Sequence, residues 1–129
     1  MYEKMRAARQ GQDKYIVHLG PPYANGHMHM GHALNGVVQD VLVRWQRMRG
    51  RDVLWMPGTD HAGIATQQVV TRQMRAEGLD KREAGREAFL ERAWAWKEQT
   101  HGRITAQLRR LGCSLDWPRE AFTMDEARN

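Results

Sequence analysis

His29 and His32 stand three residues apart in His29-Met30-Gly31-His32, just ahead of a run with helical periodicity. Two imidazoles at a helix entrance make a natural anion site. A neutral imidazole donates a hydrogen bond, and it can gain a proton beside a polyphosphate. The helix N-terminus adds backbone donors and a favourable dipole. Gly31 would let a flat base approach the backbone with no side chain in the way. The same residues have a plainer use, as helix caps with solvent-exposed rings. The second cluster is Thr59-Asp60-His61. Asp60 has the chemistry to hold an ammonium group through a charge-assisted hydrogen bond, or to cap the following helix, and the sequence leaves both open. His27, His29, His32 and His61 suffice in number for zinc, but they lack the His-Glu-x-x-His arrangement, so no metal-ligand set is assigned. Neither glycine cluster matches Gly-x-Gly-x-x-Gly or the phosphate-loop lysine pattern, which argues against an ordinary dehydrogenase or phosphate-loop ATPase. No Ser-His-Asp or paired-carboxylate arrangement suggests hydrolysis.

These groups must be positioned by the elements around them. Tyr15–Leu19 is a compact apolar run suited to a buried strand, ended by Gly20, Pro21 and Pro22. Asn25-Gly26 signals a turn. A helix is expected from near Gly31 or His32, with Leu34, Val37, Val38, Val41, Leu42, Trp45 and Met48 forming one apolar stripe. Arg44, Arg47 and Arg49 suit its C-terminal dipole, and Gly50 its end. Val53–Met56 reads as a second strand, ended by Pro57-Gly58. Its spacing of roughly 30 residues from the first strand is that of a βαβ unit with parallel strands. Ligands bind at the carboxyl ends of such strands. The clusters at 25–32 and 59–61 are therefore expected to converge in one crevice. The fold class is α/β, a Rossmann-like parallel sheet with helical crossovers.

The rest of the chain reads as helical. Residues 62–76 offer Ile64, Val69, Val70 and Met74 as buried positions, and Gly78 breaks the pattern. Asp80 with Glu83 forms a capping box, with Leu79 as a staple. A long helix is expected from there to about Thr100, packed through Phe89, Ala93 and Trp96, with an interruption at His101-Gly102. Ile104, Leu108 and Leu111 continue an apolar face that Gly112 ends. Trp94, Trp96 and Trp117 read as packing residues. Thr123 with Glu126 resembles another capping box, with only three residues after it, which suggests a helix started and cut off. Residues 1–14 are polar and read as a flexible arm, with a short helix over Met1–Gln10 stopped by Gly11.

With 129 residues, the chain is one domain at most. Hydrophobic content of 41% and charged content of 27% place it among globular proteins. No apolar run is long enough to cross a bilayer, and no apolar segment follows the basic start, so a cytoplasmic location is expected. Cys113, the single cysteine, fits a reducing compartment and reads as a partly buried thiol near a helix end. The net charge of +5 makes a polyanionic partner plausible.

At GPPYANGHMHMGHALN the sequence resembles the first half of a class I aminoacyl-tRNA synthetase catalytic domain, from the valine, isoleucine and leucine subgroup. His29-Met30-Gly31-His32 matches that class's His-x-Gly-His signature. PGTDHAGIATQ (57–67) and RRLGCSLDWPREAFTMDE (109–126) are similar to the valyl enzymes. The resemblance runs from about residue 14 onward, with several motifs in the right order. One departure is that Gly20–Gly26 resembles the isoleucyl enzymes, whereas Thr59 is valyl-like. A methylene is worth only about 1–3 kcal/mol of discrimination, so this mixture leaves valine, isoleucine or relaxed aliphatic specificity open.

The resemblance implies that His29 and His32 stabilise the phosphates of ATP and that Gly31 lies under the adenine. It implies that Asp60 binds the α-amino group of the amino acid. Pro22, Tyr23 and Thr59 would line the side-chain pocket, with Asn25 near the substrate and His61 near the ribose or adenylate. Mg²⁺ would arrive on the nucleotide, and tRNA would be a partner of the full-length parent, expected to be a monomer. Residues 15–129 would be a partial catalytic domain ending before the connective insertion. The Lys-Met-Ser-Lys-Ser-like loop is absent, as are the family's editing and anticodon-binding domains. The alternative is a non-catalytic fragment that keeps weak affinity for ATP or RNA.

Overall fold

The computed structural model describes residues 2–128, so Met1 of the expected arm and Asn129 lie outside the described residues. Helix α1 (Tyr2–Ala8) is followed by strand β1 (Lys14–Val17). Strand β2 (Asp52–Trp55) pairs with β1 in parallel, Tyr15 opposite Val53 and Val17 opposite Trp55. Helix α2 (Met30–Met48) is the crossover between them, which makes this a Rossmann-like α/β unit. Strand side chains alternate between faces. Val53 and Trp55 are buried, with Tyr15 and Val17 packed beside them, while Ile16 on the other face is 60% exposed. Both strands end before the expected position. At β2 the reason is local: the Trp55 carbonyl accepts from the Asp116 N–H at 2.9 Å.

The orientation of α2 corrects the expectation drawn from its apolar stripe. Leu34, Val37, Val38, Val41, Leu42, Trp45 and Met48 are all exposed, Met48 by 75%. The buried positions are Gly36, Val43, Gln46 and Arg47. Polar partners on this other side fix the helix. The Asp40 carboxylate accepts from the Ser114 N–H at 2.8 Å and from the Ser114 hydroxyl. Arg44 donates to the Gly112 carbonyl and Arg47 to the Ser114 carbonyl, each at 2.8 Å. The Trp55 indole donates to Gln39 at 3.1 Å. Burial pushes the Asp40 carboxyl upward, but hydrogen bonds from Ser114 and Arg44 outweigh it and leave it below the usual range.

Helix α3 (Gly63–Ala76) and helix α4 (Lys81–Arg110) form the second layer. Asp80 caps α4, accepting from the Arg82 N–H at 2.7 Å. The break in α4 falls at Gly85, not at His101-Gly102. Gly85 has φ 81°, a left-handed conformation that glycine tolerates, whereas 101–102 continue the helix. Val70 and Met74 of α3 and Phe89 of α4 form one buried cluster, joined by Ala93 and Trp96. Ile64, expected to be buried, is 77% exposed. Ile104 and Leu108 join Val43, Val53, Trp55, Cys113 and Leu115 in the main core. The Cys113 thiol is buried beyond α4, and that burial raises its pKa.

The chain then makes a 3-10 turn at Trp117–Arg119 and returns to the sheet end. Strand β3 (Gly58–Thr59) pairs in parallel with strand β4 (Ala121–Phe122), a contact the sequence did not announce. Thr123 does not begin a helix. Its hydroxyl meets the His61 ring at 2.7 Å, and a 3-10 turn follows only at Glu126–Arg128.

This packing makes a specific prediction. Val43→Ala, at a position with no exposed surface, is expected to cost about 1–3 kcal/mol in chemical denaturation. Val41→Ala, inside the sequence stripe but 60% exposed, should change stability by less than about 0.5 kcal/mol. The reverse ranking would mean that α2 is docked by its apolar stripe after all.

Candidate functional site

The loop after β1 and the segment after β2 leave the same end of the parallel pair, and backbone hydrogen bonds join them. The Asp60 N–H donates to the Pro22 carbonyl at 3.0 Å, and the Ala24 N–H donates to the Asp60 carbonyl at 2.8 Å. Tyr23 and Asp60 thereby form a parallel bridge. Asp60 is thus joined to residues 22–24, just ahead of the expected 25–32 cluster, where the rings of His29 and His32 accept their hydrogen bonds from Gly31 and from His29. Trp96 of α4 donates from its indole to the Ala24 carbonyl at 2.9 Å and anchors the loop from below.

Pro22 is buried, Tyr23 is 57% exposed, and Asn25 sits half-buried in the turn. The Asp60 side chain is 28% exposed. Its Oδ1 accepts from the Ala62 N–H at 2.9 Å and lies 3.3 Å from His61 Nδ1. Ala62, with φ 52°, is the residue at the α3 N-cap, so Asp60 supports the approach to α3 from two residues before that cap. The His61 N–H donates to the Thr123 hydroxyl at 2.9 Å. Thr59 is buried, and its hydroxyl is bound to His101 Nδ1 at 2.8 Å. Thr123 and His101 both belong to this cluster and were missed from the sequence. Their contacts span 62 and 42 residues, and no local pattern signals them.

His29 and His32 form the entrance to α2 as a reciprocal capping box. His29 Nδ1 accepts from the Gly31 N–H at 3.1 Å, and His32 Nδ1 accepts from the His29 N–H at 3.2 Å. An accepting Nδ1 carries no proton, so each neutral ring bears its hydrogen on Nε2. The ring centroids are 4.0 Å apart. The result is two adjacent Nε2–H donors at a helix N-terminus, where the exposed backbone ends favour an anion. Gly31 has a role beyond backbone access: a Cβ there would lie 2.9 Å from His29 Cε1, so the ring occupies the space a side chain would need. The Asp60 cluster and the histidine pair are held by separate sets of hydrogen bonds.

Between the strand ends and β4 lies a cavity of about 330 Å³, lined chiefly by Val17, Leu19, Pro21, Met56, Thr59 and Phe122. Of the expected pocket residues Thr59 lines it, whereas Pro22, Tyr23, Asn25 and Asp60 do not. Among the described residues, no three His, Cys, Asp or Glu side chains converge as a metal-ligand set, and no helix is long and apolar enough to cross a membrane.

The family profile described as tRNA synthetases class I (I, L, M and V) matches residues 1–129. A valine–tRNA ligase of Geobacter sulfurreducens is 60% identical over 116 residues, 90% of this chain and 13% of the relative. One from Granulibacter bethesdensis is 62% identical over 113 residues, 87% of this chain and 13% of the relative. One from Thermus thermophilus is 54% identical over 121 residues, 94% of this chain and 14% of the relative. The chain thus spans about one seventh of the length of these curated relatives.

His32 titrates below the ordinary histidine value of 6.5, chiefly because it is desolvated and secondly because of charge on His29. A lowered folded value means that the unfolded chain binds the extra proton first, so stability rises with pH across the window between the two values. The contribution is complete above 6.5 and is lost as pH falls through the folded His32 value. Denaturant midpoints measured from pH 7.5 down to 5 should fall, and His32→Gln should flatten part of that slope. An unchanged slope in the variant would show that His32 is not the group responsible.

Proposed function

Because the chain belongs to the class I tRNA synthetases, we propose that it carries part of an amino-acid-activating site. The reaction joins an amino-acid carboxylate oxygen to the α-phosphorus of ATP and releases pyrophosphate. The observation that carries this reading is the joining, at one sheet end, of the segments that follow β1 and β2. Asp60 is hydrogen-bonded into the Pro22–Ala24 loop, and the α2 entrance with its two Nε2–H donors follows in the same connection. Residues 15–129 are proposed as a portion of the catalytic domain that ends before the connective insertion, with residues 1–14 as an N-terminal arm.

In this reading Asp60 holds the ammonium group of the amino acid. Its internal bonds fall on Oδ1, which leaves Oδ2 for the ligand. Pro22, Tyr23 and Thr59 shape the aliphatic pocket, Asn25 lies beside it, and His61 sits next to the nucleoside end. Gly31 gives the adenine access to the backbone. His29 and His32 act as neutral donors to phosphate oxygens, since protonating Nδ1 would break the cap that positions them. No residue forms a covalent intermediate. The effect is positioning, with charge on the phosphoryl oxygens met by preorganised donors. Mg²⁺ comes with the nucleotide's phosphates, since the chain itself offers no converging ligand set among the described residues. Valine is the first amino acid to test, given the identity to valine–tRNA ligases, and isoleucine the second, given the 20–26 loop. The full-length parent would add tRNA as a partner and act as a monomer in the cytoplasm.

A second reading has one observation in its favour. The chain carries a net charge of +5, which suits weak binding of ATP or RNA by a non-catalytic fragment.

ATP–pyrophosphate exchange with valine, isoleucine and leucine separates the two. Amino-acid-dependent exchange is expected, with valine or isoleucine preferred. Asp60→Ala should lower it about 10- to 100-fold through loss of a charge-assisted bond. His29→Ala with His32→Ala should lower it about 100- to 1,000-fold. Circular dichroism of the double variant checks that the uncapped helix still folds. Exchange at the mutant background, with salt-sensitive ATP binding retained, would favour the second reading.

A further inference from the structure

Thr59, His101, Glu120 and Thr105 form a hydrogen-bond relay beneath the segment that carries Asp60. The Thr59 hydroxyl lies 2.8 Å from His101 Nδ1, and His101 Nε2 lies 3.1 Å from a Glu120 carboxylate oxygen. Thr105 donates to that same oxygen at 2.8 Å. His101 and Thr105 are four residues apart on α4 and share a helix face. The His101 ring also packs edge-on against Phe122 of β4, with centroids 6.5 Å apart. Three separate parts of the chain thus meet at one imidazole.

The proton positions follow from donor chemistry. An ionised carboxylate only accepts, so His101 must carry a hydrogen on Nε2. In a neutral ring Nδ1 then accepts, and the Thr59 hydroxyl donates toward it. The result is a single directed chain, Thr59 O–H to His101 and His101 N–H to Glu120. Hydroxyl, imidazole and carboxylate occur in this order in hydrolases. Here the Thr59 hydroxyl is engaged by His101 and Thr59 is only 3% exposed, so the order does not present a nucleophile. The relay is a brace. It fixes the residue next to Asp60, whose own backbone is bound to the Pro22–Ala24 loop.

We infer that His101, with its tautomer set by Glu120, is a positioning residue that holds the Thr59–Asp60 segment in register for the amino-acid ammonium group. This rests on the reading of Asp60 given above. Release of Thr59 would let Asp60 shift against the pocket while leaving the α2 entrance, which has its own hydrogen bonds, in place.

Nitrogen-15 spectra of the histidine rings in the full chain test the brace directly. His101 should show a protonated Nε2 and an unprotonated Nδ1, and Glu120→Gln should mix the tautomers. In exchange kinetics, His101→Phe keeps a ring against Phe122 but no nitrogen. It should raise the KM for valine about tenfold and move the KM for ATP less than twofold. His101→Asn, which restores a polar partner for Thr59, should recover most of the loss. A mixed or Nδ1-protonated ring in the wild-type chain would overturn the inference. So would an equal rise in both KM values, or an Asn variant no better than Phe. If the wild-type chain shows no exchange, the activation reading fails separately. The brace is then judged by its tautomer and by the Asp60 carboxyl carbon-13 shift, which should move in His101→Phe and return in His101→Asn; a shift unchanged in both would overturn it.

Discussion

The parallel pairing of β1 with β2 is the constraint on which the rest depends. Parallel strands need a long crossover, and both leave the sheet at the same end. That geometry brings the loop after Val17 and the segment after Trp55 side by side. Two backbone bonds between Asp60 and residues 22–24 then turn proximity into a fixed register. An antiparallel pair would have sent Asp60 to the opposite edge from the α2 entrance. The short β2 has a second tie: Trp55 is buried and its carbonyl is bound to Asp116.

The crossover helix is held by a balance that sequence patterning does not reveal. Fully burying a Val or Leu side chain is worth about 1.5–3 kcal/mol, so seven apolar residues would seem to decide which way α2 faces. They do not, because the other flank carries a denser set of specific partners. Asp40, Arg44 and Arg47 close on Gly112 and Ser114, and hydrogen bonds to charged groups contribute about 1.5–3 kcal/mol each. Val43 adds its own burial on that side, and Gly36 lets the Cys113 sulfur lie 3.5 Å from where a Cβ would be. The polar flank fixes orientation, and the apolar flank is left facing outward.

What could be read from the sequence was local. Tyr15–Leu19 and Val53–Met56 were found as strands to within two residues, and their spacing gave the parallel crossover. The Asp80 cap and the Phe89, Ala93 and Trp96 packing face also follow from short-range pattern. The errors share a cause. Periodicity shows that α2 has an apolar stripe but not which face finds partners. Gly85 and Gly102 look alike in sequence, and only Gly85 adopts a positive φ. The pairing of Gly58–Thr59 with Ala121–Phe122 spans most of a helical layer and leaves no local mark. Thr123 satisfied a capping pattern, yet its hydroxyl is taken by His61. His101, the residue under Thr59, reads in sequence as a helix interruption, because its contact with Thr59 spans 42 residues.

In the proposed site, capping and anion contact are compatible uses of His29 and His32, since capping occupies Nδ1 alone. Each ring spends Nδ1 on a backbone N–H and so carries its hydrogen on Nε2. The cap therefore selects the tautomer that can donate to a phosphate oxygen. At His32 it also opposes the imidazolium, in which Nδ1 would itself be a donor facing a donor. Desolvation and the neighbouring ring depress His32 in the same direction. The anion would thus be met by aligned neutral dipoles at a helix N-terminus rather than by two cations. Two neutral rings also repel each other less than two imidazolium ions would at a centroid separation of 4.0 Å. Gly31 belongs to the same logic, because any Cβ there would displace the ring whose nitrogen starts the helix.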